Sequence, residues 1–416
     1  MINRGNKILH NTSMLYIMNI AKMVFPLITL PYLTRVLSVP CYGVVTYVKA
    51  VMQYMQLIID FGFLLSGTKD IVLAGEDQNK INHEVGNIFL AKLLLVGVAF
   101  LSLCVIIPLI RILRENVLFT LLSFVVVALT AFLMDFYFRG IERMEIITIR
   151  FVVMKGIAAA LTFVFVHHDG DIMWIPVLDI IGSMVAVGLV WAQLKRFDVS
   201  MKFDGFGEAF KKLKESAIYF FSNMATTAFT ALNTLLIGIF INEVDVAYWG
   251  LCTQLVGAAQ SFYTPVTSGI YPQMVRTKDR KLIRKTMLVF FPVIVLGCVF
   301  TLLVAKQVLI IISGKEYGAA AYLLRLLVPV LLFSFPSMLF GWPTLGAIGK
   351  QRETTITTVV AASFQVLLLV LLIVLNRVNL VSIAIARGVT EALLFLLRYL
   401  TYRKNIDCFL HVNENG

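Results

Sequence analysis

Long apolar runs alternate with short polar breaks from one end of the chain to the other. Each run is about 20 residues, which is enough to cross about 30 Å of hydrocarbon as a helix. The runs are continuous rather than alternating residue by residue, so they predict helices and exclude a β-barrel. Twelve spans are expected, at roughly 12–37, 41–65, 86–110, 117–138, 146–166, 172–194, 214–241, 246–270, 285–312, 318–342, 353–375 and 379–401. No connection between them is long enough to hold a soluble domain. The fold class expected is all-α and polytopic.

The most charged linker, "KRFDVSMKFDGFGEAFKKLKES", divides the spans into six and six. It sets the expected domains as 1–200 and 201–416. The two halves also look repeated. "RVLSVPCYGVVTYVKAVM" from Arg35 aligns with "IFINEVDVAYWGLCTQLV" from Ile239, an offset of 204 residues. Both halves would start on the same side, which gives a parallel repeat about an axis along the membrane normal.

Composition sharpens this picture. The chain is 59% hydrophobic and 14% charged, with a net charge of +12. In a membrane protein such an excess reflects basic cytoplasmic loops and anionic lipid, so no nucleic-acid partner is expected. With the N-terminus inside, 24 Lys and Arg fall in cytoplasmic segments and six outside, which puts both termini in the cytoplasm. The five cysteines lack paired metal or redox spacing. The "HHDGD" loop at 167–171 stands without a second ligand cluster, so no metal site is expected. There is no phosphate-binding glycine loop for ATP and no readable catalytic constellation, so a secondary transporter rather than an enzyme is expected.

The chemistry lies in polar residues inside the spans. Thr12, Asn19, Lys22, Pro26 and Thr29 share one helical face, and Asn223, Thr226, Thr227, Thr230 and Asn233 form a stripe on the seventh span. Such residues either glue helices together by hydrogen bonds or line a watery cavity. Six cations (Lys22, Lys49, Lys92, Lys155, Arg325, Arg387) and four anions (Asp60, Asp135, Asp179, Glu391) fall within spans. Lys49, Lys92, Lys155 and Arg325 are near enough to span ends to snorkel. Arg387 has Glu391 four residues on, the spacing of an intrahelical ion pair. The interior tally is net positive and favours an anionic substrate.

"LTRVLSVPCYGVVTYVKAVM", followed by "IDFGFLLSGTKDI", resembles the opening of O-antigen flippases of the Wzx (RfbX-like) type, in the multidrug/oligosaccharidyl-lipid/polysaccharide exporter superfamily. "SGKEYGAAAYLLRLLVP" and "LGAIGKQRETTITTVVAASFQVLLLVLLI" agree with it, and the resemblance covers essentially the whole chain. Lys69 stands where the family more often has Arg. The resemblance implies two six-helix bundles forming a V, with a cavity lined by spans 1, 2, 7 and 8. The substrate implied is an undecaprenyl-pyrophosphate-linked oligosaccharide, flipped from the cytoplasmic to the periplasmic leaflet of the bacterial inner membrane. Coupling would use H+ or Na+ or the membrane potential, and a polysaccharide polymerase would be a further partner. The substrate residues expected are then Lys22, Asn19, Arg387, Lys49, Asn223 and Thr230, and the ion-coupling candidates are Asp179, Glu391 and Asp60. The alternatives are a drug/ion antiporter of the same superfamily and a membrane-embedded O-antigen polymerase or ligase.

Overall fold

The computed structural model describes residues 4–409, with side chains from residue 10 onward except those at 222, 225, 226 and 228–230. The chain divides into two compact units, Met1–Thr227 and Ala228–Gly416. The first holds Arg4–Val36 (α1), Val39–Asp60 (α2), Phe63–Ala74 (α3), Gln78–Leu109 (α4), Arg111–Glu115 (α5), Val117–Leu129 (α6), Asp135–Gly140 (α7), Met144–Phe165 (α8) and Trp174–Arg196 (α9). Phe206–Phe240 (α10) begins in the first unit and ends in the second. The second then holds Glu243–Ser261 (α11), Tyr263–Thr277 (α12), Arg280–Ser313 (α13), Ala321–Leu326 (α14), Val328–Leu339 (α15), Gln351–Val374 (α16) and Leu380–Lys404 (α17).

Among the described residues, nine helices are long and apolar enough to cross a membrane. This is a multi-pass membrane protein. The three remaining expected spans fall on α2–α3, on α10, whose described apolar stretch is Ala231–Phe240, and on α11–α12. Four spans read as continuous are in fact broken. The second breaks where Phe61 and Gly62 turn left-handed (φ 40° and 82°). Gly62 also admits α10 closely, since a Cβ there would meet Tyr219 Cβ at 2.5 Å. The fourth breaks at Met134 (φ 48°), the eighth at Phe262, and the tenth at Gly341 (ψ −120°) between Pro336 and Pro343. Apolar character carries straight through each break, so periodicity did not register it.

The sequence repeat is visible in the helix ends. Ser38 caps α2 and Asn242 caps α11, 204 residues apart, each accepting a backbone amide of the helix it opens. Asp77 caps α4 and Asp279 caps α13 in the same way.

In the first unit α8 lies between α1 and α9, α3 packs on α7, and α2 packs on α4 and α6. The charged linker does not hang free. Asn82 brackets Ser200, its Oδ1 accepting the Ser200 amide (3.0 Å) and its Nδ2 donating to Ser200 Oγ (2.9 Å). Asn87 brackets Asp204 likewise, at 3.0 and 2.7 Å. Lys212 on α10 then reaches Asp70 (2.8 Å) and Glu84 (2.6 Å). Burial works against its charge, but the hydrogen bonds to the two carboxylates outweigh it and hold the ammonium above its ordinary value. In the second unit α17 packs on α15 and α16, and α13 packs on α15.

Candidate functional site

Inside the first unit lies a cavity of about 380 Å³ whose lining includes Lys22, Asp60, Lys92, Asp135, Arg139 and Arg150. Five helices supply its charges. α1 supplies Lys22, α2 ends on Asp60, α4 supplies Lys92 and α8 supplies Arg150. The left-handed turn at Met134 starts α7, so that Asp135 and Arg139, four residues apart, both reach the same wall.

The charges are not equally committed. Arg150 is buried and forms a two-point pair with Asp135, through Nε (2.9 Å) and Nη2. Lys92 is buried too, but its Nζ meets Asp60 Oδ1 at only 3.5 Å. Gln56 donates to the other oxygen of Asp60 (2.8 Å) and to Thr130 (3.0 Å). Lys22 Nζ lies 5.6 Å from the ring centroid of Phe151, a cation–π distance. Among the described residues neither Lys22 nor Arg139 has a carboxylate partner. Four cations thus face two carboxylates, and two cations remain available to an anion.

The other expected site residues are placed as follows. Asn19 is exposed and is not part of this wall, so the structure does not bring it together with Lys22 there. Asp179 is held by Lys155 at 3.0 Å, with Lys49 within electrostatic reach of that pair. Arg387 pairs with Glu391 at 3.0 Å on α17, Glu391 buried and Arg387 partly so, which is the intrahelical pair that their spacing allowed. Asn223 is exposed, while the side chain of Thr230 lies outside the described residues. Asn233 does not line a watery stripe. It is buried and accepts from Gln365 (2.9 Å), which is the gluing role.

The sequence reading counts Arg139, Arg150 and Arg398 among the cytoplasmic cations and not among the site residues; in the structure Arg139 and Arg150 line the cavity, and Arg398 is buried and donates to Ser337 O (2.8 Å) and Thr358 Oγ1 (3.0 Å). The four-residue spacing of Asp135 and Arg139 puts both on one face of α7, but it does not tell that this face lines a cavity, and nothing in the sequence links Arg150 to it.

Residues 8–278 match the family described as "Polysaccharide biosynthesis protein". The chain belongs to the polysaccharide biosynthesis protein family. This agrees with the resemblance read from Leu33–Met52 and Ile59–Ile71. A family relative, a putative O-antigen transporter of Shigella dysenteriae, is 25% identical over 349 residues, covering 82% of this chain and 87% of its own. Among solved structures, an inward-facing multidrug resistance MATE family transporter of the MOP superfamily superposes with a TM-score of 0.65 at 13% identity, over 94% of this chain and 98% of that one. A lipid II flippase, MurJ, in an inward closed conformation gives 0.64 at 11% identity, over 96% and 89%. This member of the polysaccharide biosynthesis protein family therefore has the fold of the MOP transporters.

Proposed function

We propose that the protein is a flippase for lipid-linked oligosaccharides, with an undecaprenyl-pyrophosphate-linked O-antigen or related polysaccharide unit as its substrate. It would work in the bacterial inner membrane, crossing it twelve times with both termini in the cytoplasm. The observation that carries this reading is the cation excess of the cavity in the first unit. A cation-rich, partly desolvated wall favours an anionic group and disfavours the organic cations that a drug antiporter would move. The cavity volume suits a pyrophosphate-sized head rather than a whole glycan. Lys22 and Arg139 are the cations free to bind it, and Lys92 is the next most easily drawn away, because its contact with Asp60 is long.

Transport is secondary and coupled to H+, Na+ or the membrane potential. Asp60 is the coupling candidate that shares the cavity with the anion site. Asp179 and Glu391 are each already bound to a cation.

Complementation of a flippase-null strain tests the reading. Lys22→Ala and Arg139→Ala should reach the membrane yet lower surface polysaccharide by about ten-fold or more, the loss expected for one charge-assisted contact. Lys22→Arg should restore part of the activity. Normal polysaccharide from both alanine variants would remove the cavity from the transport path. In vesicles, Asp60→Asn should weaken the dependence of flipping on an ion gradient.

A further inference from the structure

We infer that the basic turn joining α12 to α13 is a binding site for the phosphate headgroups of anionic phospholipids. Six of the ten residues from Arg276 to Lys285 are cationic, with Asp279 the one acid. Asp279 is occupied in capping α13. None of the six cations is paired with a carboxylate among the described residues, and all but Lys278 are exposed.

The corresponding turn of the first unit is built in the opposite sense. Between α3 and α4 the chain carries Glu76 and Asp77, with Asp70 and Glu84 on either side. There Lys212 neutralises Asp70 and Glu84 while the linker covers the first turns of α4. The α12–α13 turn lacks such internal partners, so its charge is directed outward.

Lipid is the partner that fits because of where the cations lead. Lys281 and Lys285 stand on the same face of α13 as Leu288, Leu296, Val299 and Leu303, all exposed. Only 6% of the apolar window of α13 is buried inside the protein. An apolar face ending in a cationic cluster matches acyl chains below a phosphate layer, and each such cation adds to attraction by anionic lipid. An acidic soluble protein would leave the apolar continuation of this face unused. The inference holds whatever substrate the protein moves.

Native mass spectrometry of the purified full chain, titrated with phosphatidylglycerol or phosphatidylcholine, tests it. Wild type should retain phosphatidylglycerol with a preference of roughly ten-fold, lost in high salt. Arg280→Gln/Lys281→Gln/Arg284→Gln/Lys285→Gln should lose that preference, and the double variant Arg284→Gln/Lys285→Gln should fall between. The charge-preserving swap Arg280→Lys/Lys281→Arg/Arg284→Lys/Lys285→Arg should keep it, as should Lys195→Gln/Arg196→Gln elsewhere on the surface. Equal retention of the two lipids by wild type would overturn the inference. So would an unchanged preference in either glutamine variant.

Discussion

The two units share a skeleton and differ in what they bury. In the first, the region from Val117 to Gly140 carries Asp135 and Arg139, and α8 adds Arg150. In the second, the corresponding stretch from Val328 to Ile348 has no acidic or basic residue, and α16 has none after Glu353. Its internal charges are instead Arg387 and Glu391, one turn apart on a single helix, and Arg398, tied to a backbone carbonyl and hydroxyls. The first unit thus holds charge between helices, around a cavity. The second holds it along one helix or against neutral partners. A repeated fold can therefore gather its buried charge between helices in one copy and along single helices in the other.

Several variants would break or sharpen this contrast. The largest effect is expected from Asp135→Ala, which leaves Arg150 buried without its partner and should cost about 3–5 kcal/mol, read as a fall in the unfolding midpoint in mild detergent. Asp135→Leu with Arg150→Met should recover most of that stability without recovering transport. If the double variant stays as unstable as the single, the pair is not what organises this wall.

A smaller effect separates the units at the level of packing. A Cβ at Gly182 of α9 would run into the Met154 carbonyl of α8, whereas at Gly388 of α17 the nearest atom is Pro329 Cβ at 3.4 Å. Gly182→Ala should cost about 1–3 kcal/mol by overpacking, while Gly388→Ala should be close to neutral. Equal costs would mean that the two helix contacts are alike after all.

The smallest effect concerns the linker. Hydrogen bonds from Asn87 and His83 hold the Asp204 carboxyl below its usual range. The folded value is depressed, so the stabilisation is present above the ordinary aspartate range and lost as pH falls through the lowered value. The protection factor for amide exchange at residues 199–205, corrected for the intrinsic pH dependence of exchange, should be high at pH 7 and fall several-fold once the pH drops below the lowered aspartate range. Asp204→Asn should show a lower protection factor at pH 7 and lose the dependence of that factor on pH. A loop that exchanges fast at every pH would show that the clamp contributes nothing.

Much of the skeleton was legible in the sequence because lipid forces it. Backbone polar groups must be satisfied within each span, so helices of membrane length follow from apolar length alone. The breaks at Phe61 and Met134 were not legible, because Phe and Met rarely take left-handed backbone and nothing in the flanking hydropathy changes, whereas the one at Gly341 lies between Pro336 and Pro343, residues that mark a helix for kinking. For the site, Lys22 could be picked out by depth and Asp60 as an anion within a span. Arg139 and Arg150 could not, because their burial depends on helices arriving from distant parts of the chain. The contacts of Asn82 and Asn87 with the linker carry no mark in the sequence, because their partners lie 118 and 117 residues away.

That linker has a consequence for how the chain could be cut or rearranged. A fused repeat carries a seam where the second copy was joined to the first, and such seams are usually the place to split a gene. Here the seam has been annexed. Residues 199–204 are stitched to α4, Ser216 meets Ser66 at 2.7 Å, and α10 runs on unbroken into the second unit. A circular permutant opened between Phe197 and Phe206 would uncover α4 as well as sever the join. One opened at Arg377, in the turn between α16 and α17, would interrupt only that turn.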